Sequence, residues 1–296
     1  MRIELMKKES MYQDYEVGGC RFRVKGTLLA EAVERMPGFA PFRKDNRGIS
    51  DFQIVFADGK EHPRESRELY ACLADGVDTR FYATADEYRL EMTHEDGAQL
   101  ELWTRRDSST LTVQGELKPQ MLRFALWVGY GLMTLRRGRI AIHSSCIVKD
   151  GKAFLFLGES GTGKSTHTRL WREHIAGSAL LNDDSPIIVV EKEEIWVYGS
   201  PWSGKTPCYR TERYPLSGCV RLQQAPFNQI KRLKTLQAYS ALHPSCPPLF
   251  AYDNFLYDGI STTISSLLTK IPVYKLACLP NQEAALLSYA TLCCRG

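Results

Sequence analysis

Residues 158–165 read Gly-Glu-Ser-Gly-Thr-Gly-Lys-Ser and directly follow an apolar run at 153–157. The glycines let backbone N–H groups turn toward phosphate oxygens, and a helix starting after them would add its positive end. In this spacing Lys164 reaches β/γ-phosphates and the Ser165 hydroxyl ligates Mg²⁺. We therefore predict binding of a nucleoside triphosphate, taken as ATP, although no side-chain pattern distinguishes ATP from GTP. The predicted phosphate contacts are Gly158, Glu159, Ser160, Gly161, Thr162, Gly163, Lys164, Ser165 and Thr166.

An acidic pair, Asp183 and Asp184, ends a predicted strand at 179–182. One strand-helix-strand unit separates it from the glycine-rich segment, and such a unit returns the strand end to the phosphates. Two neighbouring carboxylates suit two tasks, so Asp184 is predicted to hold Mg²⁺ with Ser165, and Asp183 to accept a proton from an attacking hydroxyl. A solvent-facing Asp-Asp turn is the alternative.

A histidine is predicted at the mouth of the same loop. Asp150-Gly151 is a strong signal for a type I′ hairpin turn between strands at 140–148 and 153–157. A two-residue turn would set His143 opposite Gly158, where it could act in catalysis. A purely structural histidine remains the alternative, because histidines on strands are often structural.

A second hairpin, Ile187–Val190 with Ile195–Tyr198, is predicted to return residues 199–205 toward the acidic pair. Lys205 could there neutralise charge that develops on a transferred phosphoryl group. The competing interpretation is a Pro-Trp turn with an exposed lysine. Arg210 and Arg213 are weaker candidates for anion contacts, because arginines are common on surfaces.

Composition narrows the class of protein. The chain has 296 residues, 44% hydrophobic and 24% charged, which is typical of a globular protein with one or two domains. A net charge of +4 does not indicate a nucleic-acid or membrane partner. The N-terminal residues lack a signal-peptide core, and the nine cysteines show no metal-binding spacing, so we expect a cytoplasmic protein with reduced thiols.

The hydrophobic pattern predicts an α/β protein in two parts. Residues 1–118 alternate polar and apolar side chains between turns such as Asp96-Gly97, which indicates an antiparallel β-rich domain that scaffolds or presents substrate. A helix at 119–135, apolar on nearly every face, begins the second domain, 119–296. That domain is predicted to be a nucleotide-binding catalytic core with a mixed sheet, and its basic stretch at 231–234 to be a solvated face.

These residues resemble the HPr kinase/phosphorylase family, which shares a nucleotide-binding core with ATP-dependent phosphoenolpyruvate carboxykinase. His143, residues 158–166 and the pair Asp183-Asp184 carry the resemblance. It implies a P-loop core of this type, with Asp183 as base toward an acceptor hydroxyl, Ser165 and Asp184 serving Mg²⁺, and His143 shaping the phosphoryl-transfer site. A homo-oligomer is also compatible with it, since related kinases assemble.

The sequence departs from that family after the acidic pair, where the signature that binds HPr is missing. The segment at 199–205 instead looks like that of smaller HPr-kinase-related proteins beside peptide-modification systems, some of which phosphorylate serine or a precursor peptide. We therefore expect a Mg-ATP-dependent kinase acting on a hydroxyl, most simply of serine, in a peptide, protein or small molecule. A nucleotide-binding sensor without catalysis and, with less support, a carboxykinase-like enzyme are the alternatives.

Overall fold

The computed structural model describes residues 11–45, 48–57, 66–192, 194–204 and 206–293. Contacts divide the chain into two compact units, with the boundary between Met133 and Thr134. Within the described part of the chain, no helix is both long enough and apolar enough to span a membrane.

The described residues of the N-terminal unit form one sheet with two helices. Its strands are β1 Tyr12–Val17, β2 Cys20–Lys25, β3 Arg43–Lys44, β4 Phe52–Phe56, β5 Arg67–Ala74, β6 Val77–Ala83, β7 Glu87–His94, β8 Gln99–Arg105 and β9 Thr110–Gly115. The helices are α1 Thr27–Glu34 and α2 Pro119–Thr134, with a short 3₁₀ turn at Ala40–Phe42. The described strands follow the order β3-β1-β2-β4-β9-β8-β7-β6-β5.

The expectation that this sheet is antiparallel throughout is wrong. Strands β5 to β9 do form an antiparallel meander, including the predicted turn between β7 and β8. Strand β4, however, runs parallel to both β2 and β9. A parallel pair needs a crossover, here the chain through α1, and side-chain alternation carries no information about the direction of a distant partner. The sheet is therefore mixed.

Helix α2 packs with the N-terminal strands, whereas the sequence placed the domain boundary before it. The Tyr130 hydroxyl donates to the Val17 carbonyl oxygen at 3.0 Å. Gly129 lies against Leu102 and Leu111, so the helix approaches the sheet closely where it has no side chain. The sequence of a helix that is apolar on every face predicts that the helix is buried, but it does not tell which strands or helices cover it.

The second unit carries the glycine-rich segment. Its strands are β10 Arg139–Ala141, β11 Ser144–Lys149, β12 Lys152–Leu157, β13 Ala179–Asn182, β14 Ile187–Val190, β15 Ile195–Tyr198, β16 Arg213–Gln224, β17 Gln229–Arg232 and β18 Val273–Cys278. Its helices are α3 Lys164–His174, α4 Thr235–Leu242, α5 Asn254–Leu268 and α6 Gln282–Cys293, with 3₁₀ turns at Leu135–Arg137, His243–Ser245 and Pro248–Tyr252.

These strands also form a mixed sheet, as the sequence predicts. The order is β10-β14-β15-β16-β12-β11-β13, with β18 beside β16 and β17 beside β18. Strands β12, β16 and β18 are parallel, whereas β11 is antiparallel to both β12 and β13. Because β11 lies between them, β12 and β13 run in the same direction. Their carboxyl ends therefore meet at one edge of the sheet.

One face of this sheet is covered by α3 and α6. Trp171 of α3 is fully buried, and its ring lies 5.4 Å from that of Phe156 on β12. Its indole N–H donates to Ser288 Oγ of α6 at 2.8 Å. The remaining core of this layer comes from alternate residues of the strands, among them Phe154, Val220, Leu222, Tyr274 and Leu276. Burying these side chains fixes α3, and with it the preceding loop, on the sheet.

The predicted hairpin register is confirmed. Ser144 pairs with Leu157 and Lys149 with Lys152. Asp150 and Gly151 have φ of 49° and 71°, as a type I′ turn requires. The strand predicted at 140–148 is nevertheless broken between β10 and β11, because β10 pairs with β14 while β11 pairs with β12. His143 lies in this break, one residue beyond the last pair of the hairpin.

Candidate functional site

The glycine-rich loop, residues 158–165, leads from β12 into α3. Gly161 and Gly163 have φ of 81° and 100°, a region that side chains with a Cβ rarely enter. The Gly163 carbonyl accepts the first helical bond, from His167 N at 2.8 Å. The free N–H groups at the start of α3 and the helix dipole make this turn a favourable place for an anion.

Lys164 is buried at the start of α3 and is held inside the loop. Its ammonium group donates to the carbonyl oxygens of Gly158 at 2.8 Å and Glu159 at 3.1 Å. Burial lowers the pKa of Lys164, and the negative charge of Asp184 partly opposes this effect. The loop backbone therefore positions a cation at the place where the spacing of the sequence predicts one.

His143 connects Lys164 to the acidic pair. Its Nε2 lies 2.9 Å from Lys164 Nζ, and its Nδ1 lies 3.1 Å from Asp184 Oδ1. Since an ammonium group can only donate, Nε2 accepts, and Nδ1 carries the proton that is donated to Asp184. The backbone N–H of His143 donates to the Ser245 carbonyl at 2.7 Å. The break between β10 and β11 thus orients the ring between two of the other predicted residues.

Asp183 is buried beside this series of hydrogen bonds, with 6% of its surface exposed. Its Oδ1 accepts a hydrogen bond from Ser145 Oγ at 2.6 Å, and that hydroxyl lies 3.1 Å from Thr168 Oγ1 of α3. Its Oδ2 is also buried and has no hydrogen-bond partner among the described residues. A buried carboxylate oxygen without a partner is unfavourable, so this atom is available to a proton or a cation.

The oxygen atoms here suit Mg²⁺. For the ion, the site offers the Asp184 carboxylate, one oxygen of which accepts from His143, and the exposed hydroxyl of Ser165. Hard oxygen donors are the ligands this ion prefers, and it is commonly held by one or two carboxylates together with phosphates and water. The described residues contain no cluster of three or more His, Cys, Asp or Glu side chains for a metal. As oxygen donors, the Asp184 carboxylate and the Ser165 hydroxyl fit the ligand preference of a magnesium ion.

Asn182 positions the acidic pair, a role that sequence reasoning missed. Its side chain is fully buried. Its Oδ1 accepts from the backbone N–H groups of Asp184 at 3.0 Å and Ser185 at 2.9 Å. Its Nδ2 donates to the carbonyl oxygens of Ser200 at 3.3 Å and Trp202 at 3.2 Å. An asparagine just before a turn is a known signal for such a bond two residues on, and could have identified the first contact.

Replacing Asn182 with alanine is expected to lower the free energy of unfolding by about 2 to 4 kcal/mol, since it leaves buried N–H and C=O groups unpaired. Urea denaturation would measure the loss. Asn182→Asp is the matched variant, because it keeps the acceptor for the acidic turn but removes the donor to residues 200 and 202. Equal stability of the alanine variant and the native protein would contradict this role.

The segment after β15 does return to the acidic pair. Gly204 lies so close to Asp183 that a Cβ atom there would be 2.7 Å from the Asp183 carbonyl oxygen. Trp202 is 2% exposed and belongs to the core. Lys205, the predicted charge-neutralising residue, lies outside the described residues. Arg213, at the start of β16, donates to the Tyr198 hydroxyl at 2.7 Å and stacks on Trp196, both on the neighbouring strand β15.

Arg221 is a further cation at the loop that sequence reasoning missed. It pairs in register with Leu157, the last residue before the loop, and its guanidinium lies 3.4 Å from the Glu159 carboxylate. No local pattern could have revealed it, because a parallel pair joins residues far apart in the chain.

Two cavities flank the loop. One, of about 640 Å³, is lined by loop residues, α3 and the turn Cys278, Leu279 and Pro280, and the other, of about 500 Å³, by the loop, Arg221 and Lys275.

Comparison with known proteins adds little to this geometry. A scan against protein families and a search of curated proteins both find no match. Among solved structures, the chain is similar to the Hpr(Ser) kinase/phosphatase from Coxiella burnetii, at 13% identity over 50% of this chain and 90% of that chain, with a TM-score of 0.28. A TM-score this low supports no conclusion about activity.

Proposed function

We propose that the protein is a kinase that transfers the γ-phosphoryl group of Mg-ATP to a hydroxyl group of a peptide, protein or small molecule. One observation carries the proposal. The lysine of the glycine-rich loop, His143 and Asp184 form a hydrogen-bonded chain beside Asp183, whose Oδ2 is buried without a partner among the described residues. The groups proposed for phosphate binding, metal binding and proton removal are thus neighbours.

The donor nucleotide would lie along the loop. Backbone N–H groups of residues 158–166 and the ammonium group of Lys164 would hold its phosphates, as in P-loop proteins. The cavity of about 640 Å³ beside the loop is large enough for a nucleoside. Apolar side chains such as Leu170, Leu222 and Leu279 line it together with loop backbone. Such a lining suits the flat face of a base.

Ser165 and Asp184 would hold the magnesium ion between the protein and the phosphates. When bound, the ion neutralises negative charge on the phosphate oxygens. The hydrogen bond from His143 Nδ1 fixes one carboxylate oxygen of Asp184 at 3.1 Å and leaves the other oxygen for the ion. His143 is in this proposal a positioning residue, which links the phosphate-binding lysine to the metal-binding carboxylate.

Asp183 would act as the base. Its Oδ1 is anchored by Ser145, so Oδ2 points to a defined place and accepts the proton of the acceptor hydroxyl. The hydroxyl oxygen then forms a bond to the γ-phosphorus, and the bond between that phosphorus and the β-γ bridging oxygen breaks. The products are a phosphate ester and ADP. Lys205 is proposed to neutralise charge during the transfer.

An acceptor screen tests the proposal. Purified protein is incubated with γ-labelled ATP, Mg²⁺ and free serine, serine-containing peptides or fractions of small molecules, and labelled products are identified. We expect Mg²⁺-dependent label in a phosphate ester, beginning with serine hydroxyls. If nucleotide raises the melting temperature but no acceptor is ever labelled, the protein is a nucleotide sensor instead, and the kinase proposal fails.

A further inference from the structure

Three basic residues stand side by side on neighbouring strands of the second unit. Arg221 on β16 pairs with Lys275 on β18, which pairs in turn with Lys231 on β17. Paired residues share a face of a sheet. The residues that alternate with them, such as Leu222 and Leu276, are buried under α3 and α6. These three residues, here called the cationic row, therefore project from the opposite face.

The cationic row is an unfavourable arrangement for the fold. Like charges directly opposite each other on adjacent strands repel, and here two such pairs follow one another. Arg221 contacts Glu159, whose side chain is 83% exposed, so that ion pair contributes little. In the described part of the chain neither Lys231 nor Lys275 forms an ion pair with a carboxylate. Among the described residues, the exposed Glu159 is thus the one carboxylate that pairs with these three cations.

The row begins at the glycine-rich loop. Arg221 pairs with Leu157, the residue that enters the loop. Arg221 and Lys275 line the cavity of about 500 Å³ together with residues 159–162 of the loop and residues 222–224. Lys231 continues the row to the next strand and is exposed. A ligand in this cavity would therefore contact the loop together with Arg221 and Lys275, and a ligand that extends beyond the cavity would reach Lys231.

We propose that the cationic row binds the acceptor of the proposed kinase reaction and that this acceptor is an acidic peptide; the inference rests on that proposed function. Adjacent strands are about 4.8 Å apart, so the three cations span about 10 Å. One carboxylate cannot contact all three. An extended peptide places side chains on the same side about 7 Å apart, so two neighbouring carboxylates on one side of the peptide would lie along the row.

Peptide binding can be measured without phosphoryl transfer. The probe is a short fluorescent peptide with one serine among glutamates, and its partner has glutamine at every glutamate position. Fluorescence anisotropy is recorded with Mg-ADP present. We expect the glutamate peptide to bind at least about tenfold more tightly than the glutamine peptide, and the double variant Lys231→Gln/Lys275→Gln to weaken it about tenfold.

Lys152→Gln is the matched control, because Lys152 is an exposed lysine at the opposite end of β12 from the loop. Its affinity for the glutamate peptide should equal that of the native protein. The melting temperature of the double variant should equal or exceed that of the native protein, since the substitutions remove like charges from adjacent strands. A loss of affinity with unchanged melting therefore reports on binding and not on folding.

Three results would overturn the inference: equal affinity for the two peptides, native affinity in the double variant, or stronger binding of a single-stranded oligonucleotide of matched charge. A double variant that loses ADP affinity but keeps peptide affinity would assign the row to the nucleotide and overturn it as well. If the row binds the peptide but the acceptor screen labels nothing, the kinase proposal fails while the peptide site stands.

Discussion

Replacing Asp183 with asparagine is expected to reduce phosphoryl transfer by about 10²- to 10⁴-fold, the usual contribution of a positioned general base. The amide can still accept from Ser145 through its oxygen, but the group that replaces Oδ2 cannot take a proton. Nucleotide affinity should change little, because Asp183 is not proposed to contact the phosphates. Initial rates with labelled ATP and a nucleotide titration by calorimetry measure the two quantities separately.

The stability of Asp183→Asn provides a second readout. The native carboxylate has a buried oxygen without a partner among the described residues, and a buried charge is less favourable than a buried neutral amide. The melting temperature of the variant should therefore equal or exceed that of the native protein. Ser145→Ala is the matched variant, because it removes the anchor of Oδ1 but keeps the base. Equal losses of turnover and nucleotide binding in Asp183→Asn would rule out the base assignment.

Replacing Lys164 with methionine is expected to weaken nucleotide binding by about 10- to 100-fold, because charge-assisted hydrogen bonds to phosphate oxygens are lost. Turnover should fall further, by about 10²- to 10³-fold at saturating nucleotide, since the lysine would also stabilise charge in the transition state. Methionine keeps the length of the side chain but leaves the carbonyl oxygens of Gly158 and Glu159 without this donor. Calorimetry and initial rates measure these effects.

Two variants separate charge from geometry at this position. Lys164→Arg keeps the positive charge, but a planar guanidinium cannot reproduce three donors directed at Gly158, Glu159 and His143. It should therefore recover little of the lost affinity. Lys152→Met changes an exposed lysine on the same strand that leads into the loop and should bind nucleotide normally. Native nucleotide affinity in Lys164→Met would exclude the loop as the phosphate site.

Local patterns predicted much of the second unit because its signals are short in range. Asp150-Gly151 specifies a two-residue turn, and that turn determines every pair of the β11–β12 hairpin. The second hairpin joins the two predicted strands, with Ile187 opposite Tyr198. Asn281 caps α6, since its Oδ1 accepts from Ala284 N at 3.1 Å, and asparagine is a favoured residue at this position. In each case the residues that decide the structure are neighbours in the chain.

Long-range pairing could not be predicted. The parallel neighbours of β4, the break between β10 and β11, and the position of Arg221 next to Leu157 all depend on which distant strands meet. Residues that alternate along a strand reveal a buried face, but the same alternation fits a parallel or an antiparallel partner. The cationic row follows from the same cause, because each of its members is an ordinary surface residue in the sequence.

The sequence by itself determined the groups available for chemistry: the glycine-rich loop with its lysine and serine, a histidine before it, and a pair of aspartates one unit later. The tertiary structure decided how they meet. It directs His143 onto both Lys164 and Asp184, buries Asp183 with one oxygen unpartnered in the described chain, and adds Asn182 and Arg221. The physical reason is that residue type and turn geometry act over a few residues, whereas hydrogen bonds and burial at this site join strands that lie far apart in the chain.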